Sequence, residues 1–207
     1  MPIIRTTNKT EAQALETKGA RLLRYAHDRV LSLDHAPVDF RWQTPEFPSG
    51  LHLVSVQQGL VERIALASLI AYPPEHPDHA PGETVKVADA EQRYSDLVNG
   101  RRTGELIPEA SGVLLDEANN EVVGVAVITD LEASSVWPGG PWVADVFIVP
   151  AWHGSGLGRR LLQRAIAASK ALGHRRIGLT VTERQSRCAP IRAAGVHRFP
   201  VDIRLRR

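Results

Sequence analysis

Three stretches of the sequence carry residue types suited to chemistry. The first is Trp152-His153-Gly154-Ser155-Gly156-Leu157-Gly158-Arg159-Arg160, with glycines at alternate positions between an apolar run ending at Val149 and a segment of helical spacing. Glycines leave backbone N–H groups unobstructed, and a helix N-terminus carries positive potential, so such a turn can seat a pyrophosphate. Arginine in a first helical turn opposes the helix dipole, and a bound anion would account for Arg159 and Arg160. A plain strand-to-helix turn is the alternative reading from the glycines alone. A P-loop needs G-x-x-x-x-G-K-[ST], and the dinucleotide fingerprint needs G-x-G-x-x-G opening a long parallel-sheet domain; the spacing here gives neither.

The second stretch is Trp142-Val143-Ala144-Asp145-Val146-Phe147-Ile148, which sets one carboxylate in an apolar run. An unpaired carboxylate there is costly, and desolvation raises its pKa, which suits a general base. A solvated strand edge, or pairing with an arginine, is the competing reading. Glu183, at the end of the next apolar run, is a second candidate base, with a solvated strand terminus as its alternative. The third stretch, His76-Pro77-Asp78-His79, lies in a proline-rich segment without helical alignment or clustered further ligands, so no metal is expected. Trp137 and Trp142 flank Pro-Gly-Gly-Pro and either line a pocket or pack.

Composition bounds what these residues serve. The chain has 207 residues, of which 43% are hydrophobic and 23% charged, ordinary values for a folded soluble protein. No apolar run reaches the length of a membrane span, and the N-terminus lacks the pattern of a secretory signal. One cysteine excludes an intramolecular disulfide, and a cytoplasmic location is expected. The net charge of +2 is spread over mixed signs without aromatic interleaving, which disfavours nucleic acid as a partner.

The elements that must position these residues follow from periodicity. Thr10 and Gln13 read as a capping box, and Leu15, Leu22, Ala26, Val30 and Leu33 then predict an amphipathic helix over 11–33. Prolines at 37, 45 and 48 follow, so residues 1–48 read as an N-terminal extension and 49–207 as the main domain. The extension's role is packing on the main domain or on a second subunit, which would make a homodimer. A strand at 51–56, helices at 58–71 and 88–98, a hairpin of 111–115 with 121–129, and a strand over 142–149 come next. A helix at 157–172, stopped by Gly173, a strand at 176–182, a short helix at 187–194 and a strand at 201–205 complete the order. This order predicts an α/β fold with a sheet of mixed direction.

On these residues the chain resembles the GNAT acyltransferase superfamily. Ile148 and Pro150 stand in its V-x-P strand end, and Gly156 and Gly158 fill the glycine positions of its [R/Q]-x-x-G-x-G/A segment; His153 replaces the usual Arg or Gln. The resemblance covers about residues 50–200 and implies a mostly antiparallel central sheet flanked by helices, with the fourth and fifth strands splayed. It further implies acetyl-CoA as co-substrate and no metal. Main-chain groups of Phe147, Ile148 and Val149 would hold the pantetheine arm. The turn His153, Gly154, Ser155, Gly156, Leu157 and Gly158, with Arg159, would take the pyrophosphate. His76, Asp78, His79 and Trp137 would contact the acceptor. The expected activity is transfer of acetyl to a primary amine of a small molecule by direct attack, with Asp145 or Glu183 as base. Peptide acetylation and a non-catalytic acyl-CoA-binding module are the alternatives. A second departure places Ile191 where many members carry a proton-donating tyrosine, leaving Ser186, Cys188 or water to protonate the thiolate.

Overall fold

The computed structural model describes residues 3–6, 8–76, 78, 85–135, 137–182 and 196–206. The expected helix at 187–194, together with Glu183, Ser186, Cys188, Ile191 and His79, lies outside them. Strands β1 (Ile3–Thr6), β2 (Arg21–Ser32), β3 (Leu51–Val54), β4 (Glu105–Leu106), β5 (Gly112–Asp116), β6 (Val122–Leu131), β7 (Gly140–Ile148), β8 (Arg176–Thr182) and β9 (Val196–Arg206) form one sheet. Its order is β1-β9-β2-β8-β7-β6-β5-β3, with β4 on β6. Every pairing is antiparallel except β7 with β8. Helices α1 (Lys9–Thr17), α2 (Val61–Ala71), α3 (Val87–Val98) and α4 (Leu157–Ala171) complete the elements that bear on the site.

The N-terminal segment departs from expectation. The helix there is α1 alone, capped by Asn8, whose side chain accepts from the N–H groups of Thr10 and Glu11. It ends ahead of Gly19, whose φ of 88° is left-handed. The rest of the expected helix is β2, which lies between β8 and β9 inside the sheet. Residues 34–46 then run along α4: Asp34 pairs with Arg175, Lys170 donates to the Ala36 carbonyl and Arg160 to that of Glu46.

Two apolar layers hold the sheet. On one face Ile64, Ala67, Ala71, Ala90, Tyr94 and Leu97 of α2 and α3 pack on Val113, Val125, Val127 and Phe147. On the other, Ala165 and Ala168 of α4 pack on Ile128, Val143 and Ile177. Strand β6 is covered on both faces, so Val122–Ile128 reads as a nearly continuous apolar run.

The parallel pair is incomplete. β7 and β8 share only the rungs Trp142↔Gly178 and Val143↔Leu179, although β7 continues to Ile148 and β8 to Thr182. Their outer neighbours stay in register to the ends, at Gly124↔Ile148 and Ala26↔Thr182. A gap therefore opens between them beyond Val143 and Leu179, which is the splayed strand pair.

Candidate functional site

The gap is closed at one end by aromatic packing. Trp137 is 5% exposed and meets Trp142 edge to face, with ring centroids 5.0 Å apart. A Cβ on Gly178 would lie 2.6 Å from the Trp142 ring and 2.9 Å from that of Trp137, so only glycine fits beneath the pair. Trp137 also donates its indole N–H to the Leu131 carbonyl. Both tryptophans thus pack where β7 and β8 still pair.

Just beyond that point β7 carries a bulge. Its register with β6 shifts between Val127↔Asp145 and Ile128↔Val143, leaving Ala144 as the extra residue. Val143 and Val146 pack with the α4 layer and Ala144 with the α2–α3 layer. The extra residue turns Asp145 to the α2–α3 side.

There Asp145 is held by three donors. Its Oδ1 accepts from the Tyr72 hydroxyl at 2.6 Å, and its Oδ2 from the Tyr94 hydroxyl at 2.6 Å and Arg93 Nη2 at 2.5 Å. Arg93 Nη2 also reaches the Tyr94 oxygen at 2.7 Å, with the guanidinium 4.8 Å from that ring's centroid. The Asp145 side chain is 9% exposed and that of Arg93 36%. Of the two sequence readings, solvated edge or arginine pair against desolvated base, the pairing with arginine is present, and one lone pair of Oδ1 is left for a further proton or donor. Burial, then the Asp145 charge, pushes the Tyr72 and Tyr94 hydroxyls far above their ordinary range.

The residues after α2 bridge the gap. Tyr72 reaches β7 at Asp145, while Asp78 accepts from the Thr182 hydroxyl at the end of β8. His76 lies between them, its ring 4.8 Å from that of Tyr72 and its Nδ1 3.3 Å from the Asp78 N–H. Farther along β8, Thr180 donates to Asp28 of β2 at 2.8 Å.

The main chain of β7 sorts itself by its ladder with β6. Val149 donates its N–H to the Val123 carbonyl, and alternation assigns the groups of Phe147 and Asp145 to β6 as well. Those of Val146 and Ile148 face the gap, so of the three residues expected to hold the pantetheine arm, Phe147 and Val149 turn to β6 and Ile148 alone turns to the gap. The Val146 carbonyl is 3.1 Å from the Tyr72 hydroxyl, and the Ile148 carbonyl 2.8 Å from His153 Nε2. The side chain of Phe147 is buried in the α2–α3 core.

The glycine turn follows at the open end. Gly156 caps α4 with φ 80° and no side-chain cap, and Gly154 has φ 78°. A Cβ on either would point into open space, and the first bond of the helix runs from the Arg160 N–H to the Gly156 carbonyl. The N–H groups of Leu157, Gly158 and Arg159 are therefore presented outward, a geometry that fits a pyrophosphate. The Leu157 side chain is core, and a Cβ on Gly158 would touch Ile148 Cγ1 at 3.4 Å. Ser155 folds its hydroxyl onto the Trp152 carbonyl. Arg159 is exposed at the turn, whereas Arg160 is engaged with Glu46.

Of the residues singled out from the sequence, Asp145, His76 and Asp78 come together along the gap, with the glycine turn at its open end. Sequence reasoning missed Tyr72, Arg93 and Tyr94, whose only signal is long-range contact. Among the described residues no group of three or more His, Cys, Asp or Glu could hold a metal, and no helix is long and apolar enough to cross a membrane.

Comparison with known proteins gives the family. No curated protein matches the sequence. Among solved structures, a GCN5-related N-acetyltransferase from Sphaerobacter thermophilus is similar over 99% of this chain and 58% of its own, with 22% identity and a TM-score of 0.66. The glucosamine N-acetyltransferase region of a fungal multi-domain β-N-acetylglucosaminidase aligns with 95% of this chain and 22% of its own, at 14% identity and TM-score 0.59. A tandem GNAT protein from the clavulanic acid biosynthesis pathway covers 95% and 58%, at 13% identity and TM-score 0.53. The chain thus spans about 58% of the length of the first of these. The profile of the acetyltransferase (GNAT) family matches residues 70–189, from the end of α2 through the bulged strand, the glycine turn and β8. The chain belongs to the GNAT family of acetyltransferases.

Proposed function

We propose that the protein transfers an acetyl group from acetyl-CoA to a primary amine of a small molecule by direct attack. The observation that carries this reading is the gap itself: main chain of Val146 and Ile148 that joins no strand ladder on one wall, with the Asp145 cluster beside it. When bound, acetyl-CoA supplies the activated acyl carbon. The turn from Gly154 to Arg159 would hold its pyrophosphate, and the N–H groups of Val146 and Ile148 would hold the pantetheine arm and polarise the thioester carbonyl. An amine attacks only as the neutral base, so a proton must be removed. Asp145 Oδ1 is the acceptor, and Glu183 is the second candidate.

A small acceptor is favoured over a polypeptide because Tyr72, His76 and Asp78 cross from β7 to β8 and cover the acceptor side. Asp78 and His76 are the proposed acceptor contacts, with His79; Trp137, buried in packing, contributes by fixing the floor. The site lies within one chain, in a cytoplasmic enzyme. The test is release of free thiol from acetyl-CoA over a panel of amines. Thiol release that depends on a small amine is expected; CoA binding with no release on any amine would establish a binding module instead.

A further inference from the structure

We infer that Tyr72 is the proton donor to the departing sulfur, a role that rests on the acetyl-transfer reading above. Its hydroxyl stands between two acceptors, Asp145 Oδ1 at 2.6 Å and the gap-facing Val146 carbonyl at 3.1 Å. It carries one proton, so rotation about the Cζ–Oη bond swings that proton from the carboxylate into the gap. The ring itself is fixed by edge contacts to His76 and Phe147, with centroids 4.8 and 5.7 Å away. Only the hydroxyl hydrogen has to move.

The other hydroxyls described along the gap, on Thr180 and Thr182, are turned to Asp28 and Asp78.

The transfer balances with these two groups. The amine nitrogen forms the C–N bond while the C–S bond breaks, its electron pair leaving with sulfur. Tyr72 gives its proton to that sulfur, and Asp145 Oδ1 takes the proton shed by nitrogen. The hydrogen bond between them returns this proton to the Tyr72 oxygen as Tyr72 gives up its own, so both groups are restored; the proton that an ammonium sheds before attack leaves through Asp145 to solvent. Charge follows the same sequence. Burial, then the Asp145 carboxylate, holds the proton on Tyr72 before reaction, so Tyr72 releases it only as the protonated Asp145 hands it the next one.

Tyr72→Phe keeps the ring and removes the proton. Turnover is expected to fall about 100-fold or more, with the calorimetric affinity for acetyl-CoA unchanged. Binding gives a readout independent of turnover. The native protein should prefer CoA to desulfo-CoA, which lacks the sulfur, by roughly threefold to tenfold, the effect of one hydrogen bond. Tyr72→Phe should bind the two equally. Should Tyr72→Phe fail to fold, 3-fluorotyrosine at this position, a stronger acid of nearly the same shape, should change the rate of thiol release at neutral pH while leaving the calorimetric affinity for acetyl-CoA unchanged. Undiminished turnover or undiminished preference for CoA in Tyr72→Phe, or an unchanged rate with fluorotyrosine, overturns the role of Tyr72 and leaves acetyl transfer standing. No thiol release by the native protein on any amine overturns both.

Discussion

Replacing Asp145 by asparagine separates the structural and chemical work of one side chain. The native carboxylate accepts from Tyr72, Tyr94 and Arg93 while only 9% exposed. Asparagine keeps a carbonyl oxygen for Tyr72 but sets an NH2 where Oδ2 took the other two. The Tyr94 hydroxyl can turn and accept; the Arg93 guanidinium has no acceptor to offer and loses its counter-ion. Removing one partner of a fully buried ion pair costs about 3–5 kcal/mol. Arg93 is 36% exposed, so water recovers part of that, and a loss of about 2–3 kcal/mol is expected. At roughly 2–4 °C per kcal/mol for a domain of this size, Tm should fall by roughly 5–10 °C in a circular-dichroism melt. Adding Arg93→Met removes the orphaned charge and should restore part of the loss, a non-additivity only coupled residues show. At 25 °C, where the variant stays folded, thiol release should fall about 100-fold or more, with CoA affinity unchanged because the glycine turn is untouched. A melt within about 1 °C of the native one would refute the ion-pair argument, since the smallest expected shift is several times larger. An unchanged rate would refute Asp145 as the proton acceptor.

Three further outcomes follow from the same geometry. Burial and the Asp145 charge raise the Tyr72 and Tyr94 hydroxyls, so the stability tied to their protonation is complete below the unfolded value of about 10 and is lost as pH climbs above it. Absorbance at 295 nm should show both ionising only as the protein unfolds, and Tyr72→Phe should raise the midpoint of alkaline unfolding; titration of either in the folded state contradicts this. Gly156→Val forces a β-branched residue to φ 80° at a cost of roughly 1–2 kcal/mol or a reshaped turn, and CoA affinity measured calorimetrically should drop roughly tenfold or more; retained affinity would put the pyrophosphate elsewhere. Gly178→Val drives methyl groups into the two indole rings, so a loss of about 1–3 kcal/mol and a shifted tryptophan emission are expected, and an unshifted spectrum would mean the rings do not close the gap as described.

Most of the elements were legible because their periodicities are clean: the helices α2, α3 and α4, the hairpin and β7 lie within a few residues of where their patterns place them. The N-terminal helix was overextended for a definite reason. Leu22, Ala26 and Val30 are spaced by four, which is near one helical turn but also two full strand periods, so that spacing cannot tell helix from strand. The deciding signal was Gly19, a helix stop already in the sequence. At the site, Asp145 could be singled out from its apolar neighbours. Its donors could not, because Tyr72, Arg93 and Tyr94 sit 73, 52 and 51 residues away and nothing local marks their convergence.

The feature that joins fold to chemistry is the extra residue at Ala144. Without it, alternation would give Asp145 the face of Val143, where Leu33, Ile128, Ala165 and Ile177 offer a carboxylate no partner. With it, Asp145 meets two hydroxyls and a guanidinium on the opposite face. A bulge also sharpens local twist, and this one falls just where the β7–β8 ladder stops. One inserted residue therefore both stands where the gap opens and aims Asp145 into its wall, the carboxylate on which the proposed chemistry rests. Neither effect has a signature in residue type, since Ala144 is as ordinary a strand residue as its neighbours.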